Sequence, residues 1–92
     1  MYRIIKPRGG GKTTEILHLA EETGATVVCA NPRLMKKKIE AEGYNDSIQC
    51  ISYEDFIHYS AGTGQSYLID EIDQLLLTLH PFVKGYSLSP ED

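Results

Sequence analysis

The sequence predicts an α/β fold with a mainly parallel sheet, on three observations. Short apolar runs alternate with segments whose apolar residues recur at helical spacing, a pattern typical of strand–helix units. One run, residues 26–30, is uninterrupted by charge and apolar from its second residue onward, as expected of a strand buried on both faces. Polar or glycine residues follow each apolar run. These residues predict that the catalytic and binding side chains lie where the strands end.

The first predicted elements are a strand, a glycine loop and a helix. Residues 2–5 form a short apolar strand that leads into Pro7 and three glycines. Over residues 13–23 the apolar side chains share one helical face and the charged ones take the other, which predicts an amphipathic helix. Gly24 is a suitable left-handed residue to end it.

The middle of the chain predicts a second helix, a strand and a third helix. Asn31 and Pro32 are an N-cap followed by proline at the first helical position, and this helix continues to Gly43. Residues 47–51 are a strand candidate, and Ser52 would cap the helix after it.

The last predicted elements are a strand, a leucine-rich helix and a further strand. Residues 66–69 form the strand that ends at Asp70 and Glu71, residues 73–79 form the helix, and residues 83–88 form the final strand. Parallel sheets bind ligands beyond the carboxyl ends of their strands. The predicted functional positions at that edge are residues 6–14, Asn31, Ser52, Asp70 with Glu71, and Ser89.

Composition limits the class of protein. The 92 residues carry 9 Lys and Arg against 13 Asp and Glu, a net charge of −4. This length predicts one domain over residues 1–92 and excludes a two-lobed motor. The acidic balance disfavours a protein that binds nucleic acid over its whole surface. Two cysteines are too few for a disulfide scaffold and favour a reducing, cytoplasmic setting. No apolar run approaches the roughly 20 residues of a membrane span.

Residues 6–14 lie between a predicted strand and a predicted helix, the context of a phosphate-binding loop. Glycine N–H groups can converge on phosphate oxygens, and the helix adds its positive end. Lys12 would reach the β- and γ-phosphates, and the Thr13 hydroxyl would coordinate Mg²⁺. Lys6 stands where the strict motif has its first glycine. The alternative is a glycine-rich turn before an ordinary helix. The predicted nucleotide-binding residues are Gly9, Gly10, Gly11, Lys12, Thr13 and Thr14.

Asp70 and Glu71 are two carboxylates at the end of an apolar strand. In a phosphate-loop fold the first carboxylate holds Mg²⁺, mostly through water. The second polarises the attacking water as a general base. The alternative is that the acidic residues only begin the helix that contains Leu75.

Together these segments resemble a P-loop NTPase, with a Walker A motif at residues 6–14 and a Walker B motif at residues 67–71. They resemble the branch in which a glutamate follows the Walker B aspartate. Residues 26–31 and 48–52 are similar to strands of the N-terminal RecA-like lobe of helicases. The resemblance implies a three-layer sandwich with about five strands, ATP as the nucleotide and Mg²⁺ as the metal.

A second resemblance is to the ATPase core of phage terminases. Their phosphate loops commonly carry an arginine four places before the lysine, where this chain has Arg8. The resemblance implies that Arg8 supplies transition-state charge; the alternative is a solvated loop residue. The chain has no room for the second lobe of a helicase or the nuclease domain of a terminase. A partner protein or self-assembly would then supply the remaining parts.

Two main hypotheses follow. The first is a Mg²⁺-dependent ATPase acting in a nucleic-acid process, which for a phage-encoded chain takes place in the host cytoplasm. The second is a non-hydrolysing nucleotide-binding or inert module that binds a larger ATPase or another protein. A small-molecule kinase is a weaker third, because 92 residues leave little room for a lid and an acceptor pocket.

Two further features could contact DNA or RNA. Arg33 and the run of lysines at residues 36–38 either form a solvated face or contact a nucleic-acid backbone. The rings of Tyr44, Tyr53 and Tyr59 either stack on bases or line the edges of the sheet.

Overall fold

A computed structural model of the chain describes residues 2–7, 9–59 and 64–89. Strands and helices alternate in it, as the sequence predicts. In chain order the elements are α1 (Lys12–Thr23), β1 (Thr26–Cys29), α2 (Pro32–Ala41), β2 (Cys50–Ser52), α3 (Tyr53–Tyr59), β3 (Tyr67–Ile69) and α4 (Ile72–Leu79).

The three strands form one parallel sheet in the order β2-β1-β3, so β1 is central. In this register Cys29 is opposite Ser52, and Val28 is opposite Ile69. The strands therefore end within about one residue of each other at the same edge of the sheet. All four residues of β1 are buried, which confirms the prediction of a strand covered on both faces.

Helices cover both faces of the sheet. Successive strand residues point to opposite faces, so Val27 and Val28 enter different clusters. Val27 packs with Leu17 of α1 and Ile39 of α2, and all three side chains are fully buried. Val28 packs with residues of α3 and α4 on the other face. The result is the helix–sheet–helix layering expected from the sequence.

Three local signals are confirmed at helix ends. Gly24 has φ 73° and donates its N–H to the Ala20 carbonyl at the end of α1. The side chain of Asn31 accepts the N–H of Leu34 at 3.2 Å, with proline at the start of α2. Ser52 Oγ accepts the N–H of Asp55 at 3.1 Å. Each signal depends on chemistry within a few residues.

The prediction of about five strands is wrong for the described residues, which contain three. Residues 2–5 are not a strand: Ile5 is 78% exposed, while Ile4 packs against the cluster under α1 and α2. A four-residue apolar run does not by itself separate a strand from an extended segment packed on a helix.

Residues 83–88 are also not a strand, and Tyr86 and Leu88 are more than half exposed. Lys84 and Gly85 interrupt this run, and both residue types are depleted in strands. The strand predicted at residues 47–51 begins only at Cys50. Asn45 holds the preceding residues in a turn, since its side chain accepts the N–H of Ser47 at 2.9 Å.

Within the described part of the chain, none of the helices has the length and apolarity needed to cross a membrane.

Candidate functional site

The carboxyl edge of the sheet gathers most of the predicted functional positions. Asn31 lies just beyond β1, Ser52 is the last residue of β2, and Asp70 directly follows β3. Asp70 donates its N–H to the Val28 carbonyl at 2.9 Å, so its backbone is fixed by the sheet itself. Ser89 follows a segment that is not a strand. Ser89 was expected at this edge because a strand was predicted to end before it, and without that strand the expectation has no support.

Two contacts join the predicted phosphate loop to the predicted acidic pair. The Thr13 hydroxyl donates to Asp70 Oδ2 at 3.3 Å, across 57 positions of sequence. Lys12 Nζ lies 3.0 Å from Glu71 Oε1. The start of α1 and the end of β3 are thus brought together, and the four side chains predicted to act on the nucleotide and metal face one another in pairs.

The glycine loop is a tight turn that side chains would obstruct. Gly10 donates its N–H to the Pro7 carbonyl at 2.8 Å. A Cβ atom on Gly10 would lie 2.8 Å from that same oxygen, closer than real Cβ atoms approach. Gly9 and Gly11 have φ values of 78° and 86°, which L side chains rarely adopt. The turn therefore depends on all three glycines.

The N-terminus of α1 presents backbone donors at this edge. Gly11 precedes the helix, and no side chain of the described residues caps it. The first N–H groups of a helix lack acceptors within it, and here they belong to Lys12, Thr13 and Thr14. The helix dipole places partial positive charge at the same end. This combination favours an anion, phosphate above all.

Lys6, at the position of the missing motif glycine, has a structural contact that the sequence did not reveal. Its ammonium pairs with Glu15 in the first turn of α1. The pair ties the start of the loop to the helix after it. Both side chains are more than a third exposed, so solvent weakens the pair. Arg8 lies outside the described residues, and its proposed contribution stays a prediction.

Tyr53, which the sequence suggested only for base stacking or for the edge of the sheet, contacts the acidic pair. Its hydroxyl donates to the backbone carbonyls of Asp70, at 2.6 Å, and Glu71, at 3.3 Å. The ring is 5% exposed and packs with Val28 and Leu75, so it does not offer a face for base stacking. Its position directly after β2 places it at the functional edge. This position is the feature of the sequence that could have indicated a contact between Tyr53 and the site.

Burial and neighbouring charge perturb two groups at this edge. The pKa of Asp70 is raised, first by burial and then by the adjacent charge of Glu71, while the Thr13 hydrogen bond and the Lys12 charge oppose the rise. Burial, followed by the charge of Asp70, raises the pKa of Tyr53 to about 12. The Tyr53 phenol therefore stays protonated, and remains a donor, at neutral pH.

The oxygen pair of Thr13 and Asp70 fits a magnesium ion. Mg²⁺ binds six oxygens octahedrally at about 2.1 Å, so adjacent ligands lie about 3 Å apart. The two side-chain oxygens are 3.3 Å apart. No cluster of three or more His, Cys, Asp or Glu side chains suited to a metal occurs among residues 2–7, 9–59 and 64–89. Phosphate oxygens and water would complete the shell, as is usual for Mg²⁺.

Two of the four basic residues of α2, Lys36 and Lys38, are engaged within the chain. Lys36 donates to the backbone carbonyls of Asp46 and Ile48. Lys38 pairs with Glu42 at 2.9 Å, and that carboxylate raises the pKa of Lys38. These contacts favour a structural role for the two lysines over a surface dedicated to nucleic acid.

Comparison of the chain with protein-family models, with curated proteins and with solved structures found no match. The interpretation of the site therefore rests on its own contacts. The most specific are the two that join α1 to the end of β3, because local sequence does not impose them.

Proposed function

We propose that this protein binds ATP with Mg²⁺ and hydrolyses it as a minimal P-loop NTPase with a RecA-like core. The observation that supports the proposal is the facing of Lys12 and Thr13 with Glu71 and Asp70. Two motifs that the sequence suggests separately meet at the edge where parallel sheets bind ligands. A role in a nucleic-acid process, in a phage among other settings, is part of the same proposal.

Phosphate binding would fall to the glycine loop and the first turn of α1. The N–H groups of Gly9, Gly11 and the uncapped helix start would donate to phosphate oxygens. The Gly10 N–H, which donates to the Pro7 carbonyl, would have to leave that bond to join them. Lys12 supplies a positive charge at the same place, where its side chain is 26% exposed. Partial burial strengthens its attraction for phosphate relative to a fully solvated lysine.

Thr13 and Asp70 would hold the metal. When bound, Mg²⁺ neutralises charge on the β- and γ-phosphate oxygens. The Thr13 hydroxyl donates its proton to Asp70, which would leave its oxygen lone pairs available to the metal. Asp70 stays fixed through its backbone hydrogen bond to Val28.

Glu71 would act as the general base. Its carboxylate contacts Lys12 in the nucleotide-free protein, and phosphate competes for the same ammonium. Once released from Lys12, the carboxylate can accept a proton from a water molecule as that water attacks the γ-phosphate. Arg8 would add positive charge that stabilises the transition state.

Calorimetry with MgATP and phosphate-release assays test the proposal on three variants. We expect Lys12→Ala to lose at least about tenfold in affinity, since it removes a charged phosphate contact. Lys37→Ala removes the same charge from the exposed face of α2 and should bind like the wild type. Glu71→Gln should bind MgATP and release no phosphate. Equal affinities of the wild type and Lys12→Ala would refute the site.

One surface favours the alternative of a non-hydrolysing module that binds a larger protein. Leu77, Leu79 and Phe82 lie close in sequence on and after α4, and they are 42%, 56% and 79% exposed. Neighbouring exposed apolar residues are typical of interaction sites. MgATP binding without phosphate release, with and without DNA or RNA, would support this alternative over hydrolysis.

A further inference from the structure

The corner formed by Asp70 and Glu71 has an unusual backbone. Glu71 has φ 61°, the single positive φ among the non-glycine residues that the structure describes. This left-handed conformation is uncommon for a residue with a side chain, and such residues persist only where their surroundings hold them. It turns the chain between β3 and α4, and so sets the direction in which the Glu71 side chain leaves the backbone.

Three kinds of contact hold this corner: an ion pair, backbone hydrogen bonds and the hydroxyl of Tyr53. The Glu71 side chain contacts Lys12, and the Glu71 carbonyl accepts N–H groups from Gln74 and Leu75 at 3.0 and 3.4 Å. These two hydrogen bonds are the first of α4, and they fix the Glu71 carbonyl in place. The Asp70 carbonyl, one residue earlier, receives its bond from Tyr53 at 2.6 Å.

The contacts differ in what a nucleotide does to them. Phosphate at the glycine loop takes Lys12 away from Glu71, so the ion pair is lost at the moment when the carboxylate must be held. The Tyr53 hydroxyl bonds the backbone of Asp70 and Glu71, and phosphate does not compete for it. The position of Tyr53 is fixed by its ring, which packs with Val28 and Leu75.

We infer that Tyr53 is a positioning residue whose buried hydroxyl holds the Asp70–Glu71 corner in its left-handed conformation. The Glu71 carboxylate then keeps its orientation when Lys12 binds phosphate instead. The inference rests on the proposed function. It assigns to the start of α3 a part in hydrolysis that neither Walker motif contains.

Tyr53→Phe is the direct test, because it removes the hydroxyl and leaves the ring in the core. Tyr59→Phe is the matched control: it makes the same change at the far end of α3, where the side chain is 77% exposed. We expect Tyr53→Phe to keep the Kd for MgATP within about twofold while kcat falls about tenfold or more, since misplacing a reacting group costs rate more than binding. Tyr59→Phe should match the wild type in both.

A structural measurement keeps this test separate from turnover. The backbone amide resonances of Glu71 and Ile72 should move in Tyr53→Phe and stay in place in Tyr59→Phe. Unmoved Glu71 resonances overturn the inference whether or not the protein hydrolyses ATP. A wild-type protein that releases no phosphate overturns the proposed hydrolysis, and the resonances then still decide whether Tyr53 holds the corner.

The wild type alone provides a further test should Tyr53→Phe fail to fold. Nuclear Overhauser contacts between the Tyr53 ring and Glu71 should persist when MgATP is added. Their disappearance on nucleotide binding would overturn the inference. Unchanged kcat in a folded Tyr53→Phe protein would do the same.

Discussion

Replacing Glu71 by glutamine should make nucleotide binding tighter while abolishing hydrolysis. In the nucleotide-free protein the Glu71 carboxylate lies 3.0 Å from Lys12 Nζ, where the proposed function requires a phosphate oxygen. Glutamine keeps the size of the side chain and removes its negative charge. Phosphate then no longer displaces a charged partner from Lys12, and the site carries one negative charge fewer against the incoming triphosphate.

The size of the gain follows from the exposure of the ion pair. The Lys12 and Glu71 side chains are 26% and 42% exposed, so solvent screens their attraction. Exposed ion pairs of this kind contribute about 0.2–1 kcal/mol. Since about 1.4 kcal/mol corresponds to a tenfold change in affinity, loss of the competing pair should lower the Kd for MgATP about 1.5- to 5-fold.

Isothermal titration with MgATP measures this ratio for Glu71→Gln and the wild type. Glu22→Gln is the matched control: it makes the same charge change at an exposed residue near the far end of α1, and should leave the Kd within about 1.5-fold because of its distance and screening. The advantage of Glu71→Gln should shrink in 1 M salt, where the Debye length falls to about 3 Å. A Kd equal to or weaker than that of the wild type would refute the competition for Lys12.

Three further predictions concern stability, and urea unfolding measures each of them. Burial and the Glu71 charge raise the pKa of Asp70 above 3.8, so its charged form costs the folded state free energy at neutral pH. Asp70→Asn should therefore gain up to about 1 kcal/mol at pH 7, and the gain should fade as the pH falls through the folded pKa and the wild-type carboxyl is protonated; a gain that grows toward low pH would contradict this sign. Asn31→Ala should lose about 1 kcal/mol with its N-cap bond, whereas Asn31→Asp keeps an acceptor and should lose little. Ile39→Val should cost about 0.5–1.5 kcal/mol because the side chain is fully buried, and Leu34→Ala, at 60% exposure on the same helix, should stay within about 0.5 kcal/mol.

The sequence predicted best what depends on neighbouring residues. Asn31 with Pro32, Ser52 and Gly24 each mark a helix end through a bond to a residue within four positions, and such bonds form in any context that permits the helix. The parallel sheet was also predictable, because alternating strands and helices allow few arrangements.

The two failed strands depend on contacts that a local pattern does not contain. Residues 2–5 are apolar enough to join a sheet, yet strand formation requires a neighbouring strand with free hydrogen-bonding groups. Ile4 instead packs against the apolar cluster under α1 and α2. Residues 83–88 are in addition interrupted by Lys84 and Gly85. For these segments the deciding interaction was with a helix or with solvent.

The contacts of the candidate site likewise divide into those that the sequence predicts and those that depend on three-dimensional packing. The meeting of Thr13 with Asp70 follows from the rule that ligands and functional residues gather where parallel strands end. The contacts of Lys6 and Tyr53 do not follow from that rule. The Tyr53 hydroxyl reaches the Asp70 carbonyl because its ring packs with Val28 and Leu75, which is a property of packing in three dimensions.

The central place of β1 has a consequence for the order in which the protein is assembled during synthesis. One edge of β1 pairs with β2, which follows it closely in the chain, while the other waits for β3 at Tyr67–Ile69. Until then a fully buried apolar strand has one open edge, a state prone to wrong pairing. The addition of β3 closes that edge and delivers Asp70 and Glu71 to Thr13 and Lys12 in the same event. A nascent chain in which both edges of β1 are paired has therefore also acquired its acidic pair.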